Sequence, residues 1–439
     1  MMKSNATLFS LIDTMENNHS KLSLIFSLVL LTLMCGNAHA IVYTADPGDD
    51  LASIVANLSS GDVLNLNPGI YNDHLVFSSS NSGINGNPIT INGNQQVTFD
   101  GVDYTGKGIV LDNNASFVVF NGINVTGYDY CVQNLVCNNI KWNNCDIWLN
   151  ESGVRDDGFG HTPFYFGPGA QNCSLINSKL HDVRNSANCI NIIGTMENPT
   201  TDITIYNCEI YDIYWHDAIC FQNDGGGVEV WDEQVILRIN ISNNIIHDIG
   251  EQYAVPITTN SASVWNSIIA NNYLYNVEKY ISISGGDNYY YNNTIKQLYS
   301  DNYIGQHQSY STPNNIRDVF EGNHAPIRLI GGSPGTETIN PLYGVQIYKN
   351  STGAIVRDWN GTQRISLAHN SSVTIKHKGI FELNFVSGSG DYTQGTPICY
   401  DNMCSASIEL SSDAIKRWDA TMYPIHPTGN NGNARVVVI

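Results

Sequence analysis

The sequence predicts an all-β chain: a right-handed parallel β-helix solenoid with an N-terminal capping helix and a C-terminal β-rich, sandwich-like extension. Three observations predict it. A short asparagine phrase recurs along the middle of the chain. No stretch between its copies has the length or period of an amphipathic helix. Polarity is carried by Asn, Ser, Thr, Gly and Tyr, since only 14% of residues are charged against 42% hydrophobic; that composition suits strands and turns, not disorder.

The phrase reads Asn177-Ser-Lys-Leu-His-Asp-Val183, Asn207-Cys-Glu-Ile-Tyr-Asp-Ile213, Asn243-Asn-Ile-Ile-His-Asp-Ile249 and Asn271-Asn-Tyr-Leu-Tyr-Asn-Val277, with weaker copies from Asn121, Asn143 and Asn292. Short apolar strands precede it (Phe117–Phe120, Ile203–Tyr206, Trp265–Ala270) and follow it (Cys189–Ile193, Ala218–Gln222, Ala254–Thr258, Tyr280–Ser284). Each unit is then three strands and three turns, one coil of a solenoid. Coils stacked about 4.8 Å apart pair each backbone with its neighbours. The repeated Asn bonds amide to amide along the stack and tolerates a left-handed turn. Ile190 with Ile192, Ile219 with Phe221, Val255 with Ile257 and Ile281 with Ile283 face inward. His181, Tyr211, His247 and Tyr275 share one repeat position and form a structural ladder; Asp182, Asp212, Asp248 and Asn276 follow them and bond to turn amides.

Near the N-terminus stand Asp46-Pro-Gly-Asp-Asp50, an amphipathic run from Leu51 to Leu58, then Gly61-Asp-Val-Leu-Asn-Leu-Asn-Pro-Gly-Ile-Tyr71 and Gly86-Asn-Pro-Ile-Thr-Ile91. With the repeats, these resemble the pectin-lyase-like superfamily over about residues 41–320. The resemblance implies that the run is a capping helix covering the open end of the core. It implies a fold that hosts lyases, hydrolases, epimerases and adhesins, without choosing among them. Residues 321–439 lose the phrase and alternate like antiparallel strands, as a cap or a sugar-binding module.

Residues 1–40 read as an export signal: Lys21, an apolar run from Leu22 to Met34, and Ala38-His39-Ala40 before a mature start at Ile41. Secretion or display at the cell surface follows, with no transmembrane anchor after cleavage. The net charge of −20 excludes nucleic acid as partner. Seven of the remaining cysteines lie between Cys131 and Cys220 and read as buried hydrophobes; Cys399 and Cys404 can clip a hairpin as a disulfide. Asn-x-Ser/Thr sequons such as Asn57, Asn124 and Asn360 admit glycosylation.

For chemistry, the outward positions after each phrase are Gln133, Asn191, Cys220, Pro256 and Ser282 in one column and Gln222, Thr258 and Ser284 in another. These are polar but uncharged. Neither the calcium-binding aspartates of pectate lyases nor the paired aspartates of polygalacturonases stand there. The turn before that strand is richer: Arg184, Asn185 and Asn188; Tyr214, His216 and Asp217; Glu251 and Tyr253; Glu278 and Lys279. Stacking places them in a strip about 14 Å long. Uronate β-elimination needs a cation on the carboxylate, a base for the C5 proton and an acid for the leaving oxygen. Arg184 or Lys279 fits the first role, His216 or Lys279 the second, and Tyr253 the third. Asn188, Asn191, Gln222, Trp215 and Tyr214 would bind substrate, and Trp148, Phe159 and Tyr165 offer further rings. Tyr214-Trp-His-Asp217 is similar to the His-Asp segment of alginate epimerases. Asp217 and Glu251, on adjacent coils, form the carboxylate pair a retaining glycosidase needs. Glu151, Asp156 and Asp157 can hold Ca²⁺, which the sequence admits without requiring. The leading expectation is a secreted uronate polysaccharide lyase or epimerase acting on extracellular polysaccharide. A non-catalytic glycan-binding adhesin and a glycoside hydrolase stand as alternatives.

Overall fold

The computed structural model describes residues 40–149, 162–184, 188–223, 234–250, 254–296, 304–307 and 318–325, and beyond these the backbone of strands between residues 327 and 438. The expected signal lies outside the described residues, as do Cys399 and Cys404. The compact unit begins at Val42. It is a parallel β-helix, and among the described residues its one α-helix is α1, Leu51–Ala56.

Asp50 caps α1, its carboxylate accepting from the Ser53 amide at 3.0 Å. Leu51, Val55 and Leu58 are buried under it, so the amphipathic run closes the first coil as expected. The strands then form three parallel faces. Face 1 includes Tyr130–Asn134, Thr162–Phe166, Ile190–Gly194, Ile219–Asn223, Ile257–Thr259 and Ile281–Ile283. Face 2 includes Ser174–Ile176, Thr204–Tyr206, Asn240–Ser242, Ile268–Ala270, Tyr289–Tyr291 and Val319–Glu321. Face 3 includes Asp146–Trp148, Lys179–Val183, Glu209–Ile213, Ile245–Ile249 and Tyr273–Val277. A fourth, minor ladder precedes face 2: Thr200–Thr201, Ile236–Leu237, Val264–Trp265 and Gly285–Gly286. Gly285 is required there, since it has φ +123° and a β-carbon would lie 1.9 Å from the Val264 carbonyl.

Two asparagine ladders join the coils. The outer one runs through Asn65, Asn92, Asn121, Asn143, Asn177 and Asn207, each amide donating to the preceding one at 2.8–3.2 Å. Asn177, Asn207, Asn243, Asn271 and Asn292 are left-handed, as expected. The inner ladder was not foreseen. Asn244, Asn272, Asn293 and Asn323 are fully buried, and each amide nitrogen donates to the next side-chain oxygen at 2.9–3.0 Å. The same oxygens accept the backbone N–H groups of Asn244, Asn272 and Asn293. Every buried polar atom of the stack is thereby paired without a charge.

The aromatic ladder stands on face 3, and Trp148 heads it. Ring centroids from Trp148 through His181, Tyr211 and His247 to Tyr275 are 5.8, 4.8, 5.0 and 4.5 Å apart, with planes within 13°. The acids beside it correct the expectation of turn-amide bonding. Asp182 and Asp248 instead take the Nδ1 side of His181 and His247, at 2.8 and 2.7 Å, because their left-handed backbone turns the carboxylate along the strand.

The inward registry also differs by two residues in one coil. Ile219 pairs with Ile257, and Phe221 with Thr259. Val255 therefore lies outside the core column, and Thr258 replaces Pro256 beside Cys220 and Ser282. Pro256 contributes only its carbonyl, to the Ile219 amide at 3.1 Å, and the strand starts after it. Beyond residue 320 the chain remains β-rich. Parallel pairs continue to Glu382–Val386, and antiparallel pairs enter at Tyr392–Gln394 and Ala406–Leu410.

Candidate functional site

The segment Tyr214–Asp217 connects face 3 to face 1 and carries the central part of the expected strip. Its residues diverge. Trp215 is 51% exposed and His216 is exposed, while Asp217 turns inward. Partial burial holds the His216 imidazole below its usual range, so it is neutral at neutral pH. Among the described residues it has no hydrogen-bond partner.

Asp217 is a strongly perturbed carboxyl. Burial pushes it up to about 6, although the Cys220 thiol, the Val255 N–H and the charge of Lys279 all favour its ionised form. Its Oδ1 accepts from the Val255 amide at 3.1 Å, while its own N–H donates to Asn188 Oδ1 at 3.2 Å. Successive turns are therefore braced through Asn188 and Asp217. The Cys220 thiol beside it is fully buried and raised well above its ordinary value, first by burial and then by the Asp217 charge. A group titrating near neutrality beside a fixed cation is suited to proton transfer.

The other expected residues fall into place unevenly. Lys279 is half-buried, and its charge acts on Asp217. Arg184 is drawn elsewhere, its guanidinium 3.5 Å from Asp182 and 5.2 Å above the Tyr214 ring. Asn191 donates to Gln222 Oε1 at 3.0 Å. Glu251, Tyr253, Glu151, Asp156, Asp157, Asn185 and Phe159 lie outside the described residues. Trp148 is taken by the aromatic ladder, and Tyr165 is buried, edge-on to Tyr130 at 5.8 Å. Among the described residues no three His, Cys, Asp or Glu side chains gather to hold a metal ion.

The outer column of face 1 runs Gln133, Tyr165, Asn191, Cys220, Thr258 and Ser282. It is not an open floor: Cys220 and Ser282 are fully buried, and Gln133 and Asn191 nearly so. Among the described residues Gln133 Oε1, Asn191 Oδ1 and Ser282 Oγ have no hydrogen-bond partner, a cost that native proteins seldom leave unanswered. The accessible surface belongs to the turn strip beside it.

A second concavity was not visible in the sequence. Asp212, Tyr214, Asp248, Asn276 and Glu278 line it, between the aromatic ladder and the strip. Burial raises the Asp212 carboxyl, helped by the charges of Asp182 and Asp248. The seven cysteines between Cys131 and Cys220 are free and buried, as expected; Cys137 and Cys173 approach to 3.8 Å between sulfurs. No helix among the described residues is long and apolar enough to cross a membrane.

No family model matches the chain, and no curated protein matches it by sequence. Solved structures do. An alginate lyase from Paenibacillus sp. strain FPU-7 is 13% identical, with TM-score 0.50, over 64% of this chain and 94% of that one. A mannuronic acid specific polysaccharide family 6 lyase from human gut microbiota is 12% identical, with TM-score 0.43, over 79% and 83%. The surface adhesin PfbA of Streptococcus pneumoniae is 11% identical, with TM-score 0.38, over 76% and 85%. At 13% identity the likeness to the first of these conveys a shared architecture alone. In fold, the protein is a parallel β-helix, similar to that of the Paenibacillus alginate lyase.

Proposed function

We propose that the chain acts on an extracellular polysaccharide at the turn strip, as a uronate lyase. The observation that carries this reading is the Asp217 carboxyl, held near pKa 6 beside the Lys279 charge, next to an exposed Trp215 and His216. The neighbouring lyase folds make the reading natural without deciding it.

In this scheme Lys279 neutralises the uronate carboxylate, which acidifies the C5 proton. Neutral His216 takes that proton. The C5–H electron pair becomes the C4–C5 double bond, and the C4–O bond breaks toward the leaving oxygen. Asp217, half-protonated near pH 6, supplies the proton that oxygen needs. Trp215 offers a ring face to the sugar.

The test is to incubate the mature chain with alginate, pectate and glycosaminoglycans, with and without calcium, and to follow the ultraviolet absorbance of unsaturated uronate ends. We expect absorbance to rise, and His216→Ala or Lys279→Ala to lower the rate by about 10²–10⁴-fold. New reducing ends without absorbance would replace elimination by hydrolysis through Asp217 and Glu251. A second reading, glycan binding without chemistry, is favoured by the bonds that Asn188 and Asp217 make between turns. Binding in the panel with neither product would establish it.

A further inference from the structure

On the far edge of the coil, where face 2 turns into face 3, the surface changes character partway along the stack. Up to Asn207 the turn asparagines are bonded amide to amide. Asn243, Asn271 and Asn292 continue the same backbone column, each N–H donating to the next coil. They are exposed, and among the described residues their side chains make no such bond. At that point an apolar surface opens beside them. Ile268 and Tyr289 are opposite one another on face 2, at 46% and 52% exposure, and Tyr291 adds 42% on the same strand as Tyr289. Across the turn, Ile245 and Tyr273 are opposite one another on face 3, at 42% and 38%.

This surface is also free of charge. The columns Asn240–Ile268–Tyr289, Ser242–Ala270–Tyr291 and Ile245–Tyr273–Thr294 hold no ionisable carboxylate or cation between Glu209 and Glu321. In a chain of net charge −20, columns that stay uncharged over three consecutive coils delimit the partner. A second copy of the chain would bring two large negative charges together, and a polyanion would meet the same field. A cationic partner would find no carboxylate in the patch. What remains is a neutral molecule that wants flat aromatic faces beside amides that both donate and accept hydrogen bonds. A sugar ring has that chemistry: apolar C–H faces and a rim of hydroxyls. Tyr289 and Tyr291 are about 7 Å apart along their strand and coils repeat every ~4.8 Å, so the rings form an extended platform, not a pocket.

We propose that the edge formed by Ile268, Tyr289, Tyr291, Tyr273 and the unladdered Asn271 and Asn292 is a binding face for a neutral polysaccharide. It is separate from the turn strip, and it stands whether or not the strip is a lyase. Its role is to hold the chain on a neutral polymer while the strip remains free.

The experiment is co-sedimentation of the mature chain with microcrystalline cellulose, chitin and starch granules, at low and high salt, with analytical ultracentrifugation of the chain alone. We expect a monomer that binds at least one of these polymers with little salt dependence. Tyr289→Ala with Tyr291→Ala, and separately Tyr273→Lys, should weaken binding at least tenfold at unchanged thermal midpoint; these side chains are exposed, so folding is spared. His216→Ala should bind as the parent does. Failure to bind any neutral polymer, or binding unaltered by the tyrosine variants, overturns the proposal. A dimer that these variants dissociate overturns it too, because the face would then belong to a second copy. None of these outcomes bears on elimination at the strip, which the absorbance assay reads separately.

Discussion

Two titratable residues make the fold less stable as pH rises, over different ranges and for different reasons. Asp217 has a folded pKa near 6 against 3.8 in the unfolded chain. Its folded state prefers the proton, so its effect on stability is most favourable below 3.8 and declines as pH rises to 6. Asp217→Asn keeps an oxygen for the Val255 amide and removes that decline. We expect it to be as stable as the parent or more so at pH 7, by up to about 2 kcal/mol, in urea unfolding. The same variant should lose the pH dependence of activity near 6. His181 shares that direction over a higher range, because its charged form is held by carboxylates. Burial pulls its pKa down, but Asp182 on Nδ1 and Asp146 on Nε2, at 2.8 and 2.9 Å, outweigh burial and raise it above 6.5. The stabilisation it provides is complete below 6.5 and disappears as pH climbs through the raised folded value. His181→Phe keeps a ring in the stack and loses the charge. Its thermal midpoint should therefore be lower than the parent's at pH 6 and converge with it in alkali. Neither residue's state was legible in the sequence. The His-Asp pairs were visible, but Asp146 reaches His181 from a coil 35 residues away, and only stacking brings it there.

At the scale of the element, the repeated phrase was readable because its period is that of one coil. Asn, the strand and the His/Tyr position recur together, which fixes the turn, the core face and the ladder at once. Alternation failed where a strand began with proline. Val255 and Ile257 look like an inward pair, yet Pro256 gives the strand no N–H there, and the register starts two residues later. The inner amide ladder was hidden for a different reason. Cys145, Ser178 and Cys208 occupy the position in earlier coils where Asn244 and Asn272 follow, and Ser178 Oγ and Asn244 Oδ1 accept the amides of Cys145 and Cys208. A column that changes residue type while keeping its bonding role leaves little periodic trace. The candidate site was half legible: turn position singles out His216, Asp217 and Lys279, but Arg184 pairs with Asp182 two residues away, a local contact that coil stacking does not reveal.

For the whole molecule, the parallel stack pairs each coil with two others, so its ends are where unpaired strands would meet solvent or each other. Helix α1 covers the first end through Leu51 and Val55. Leu51→Arg should open that end and produce concentration-dependent association, read by light scattering, before any loss of far-ultraviolet strand signal; a variant that stays monomeric would show that α1 is not the guard. Two residues link face 2 to face 3 in coil after coil: Asn207-Cys208, Asn243-Asn244, Asn271-Asn272 and Asn292-Asn293. The return from face 1 to face 2 obeys no such rule, spanning 224–239 in one coil and 284–288 in another. One edge of the solenoid thus behaves as a hinge-pin of fixed gauge and the other as a margin that takes up slack. Peptide tags, affinity epitopes or whole guest sequences should be accepted along the margin without disturbing the winding, whereas one residue added beside an asparagine of the pin would throw every later coil onto the wrong face.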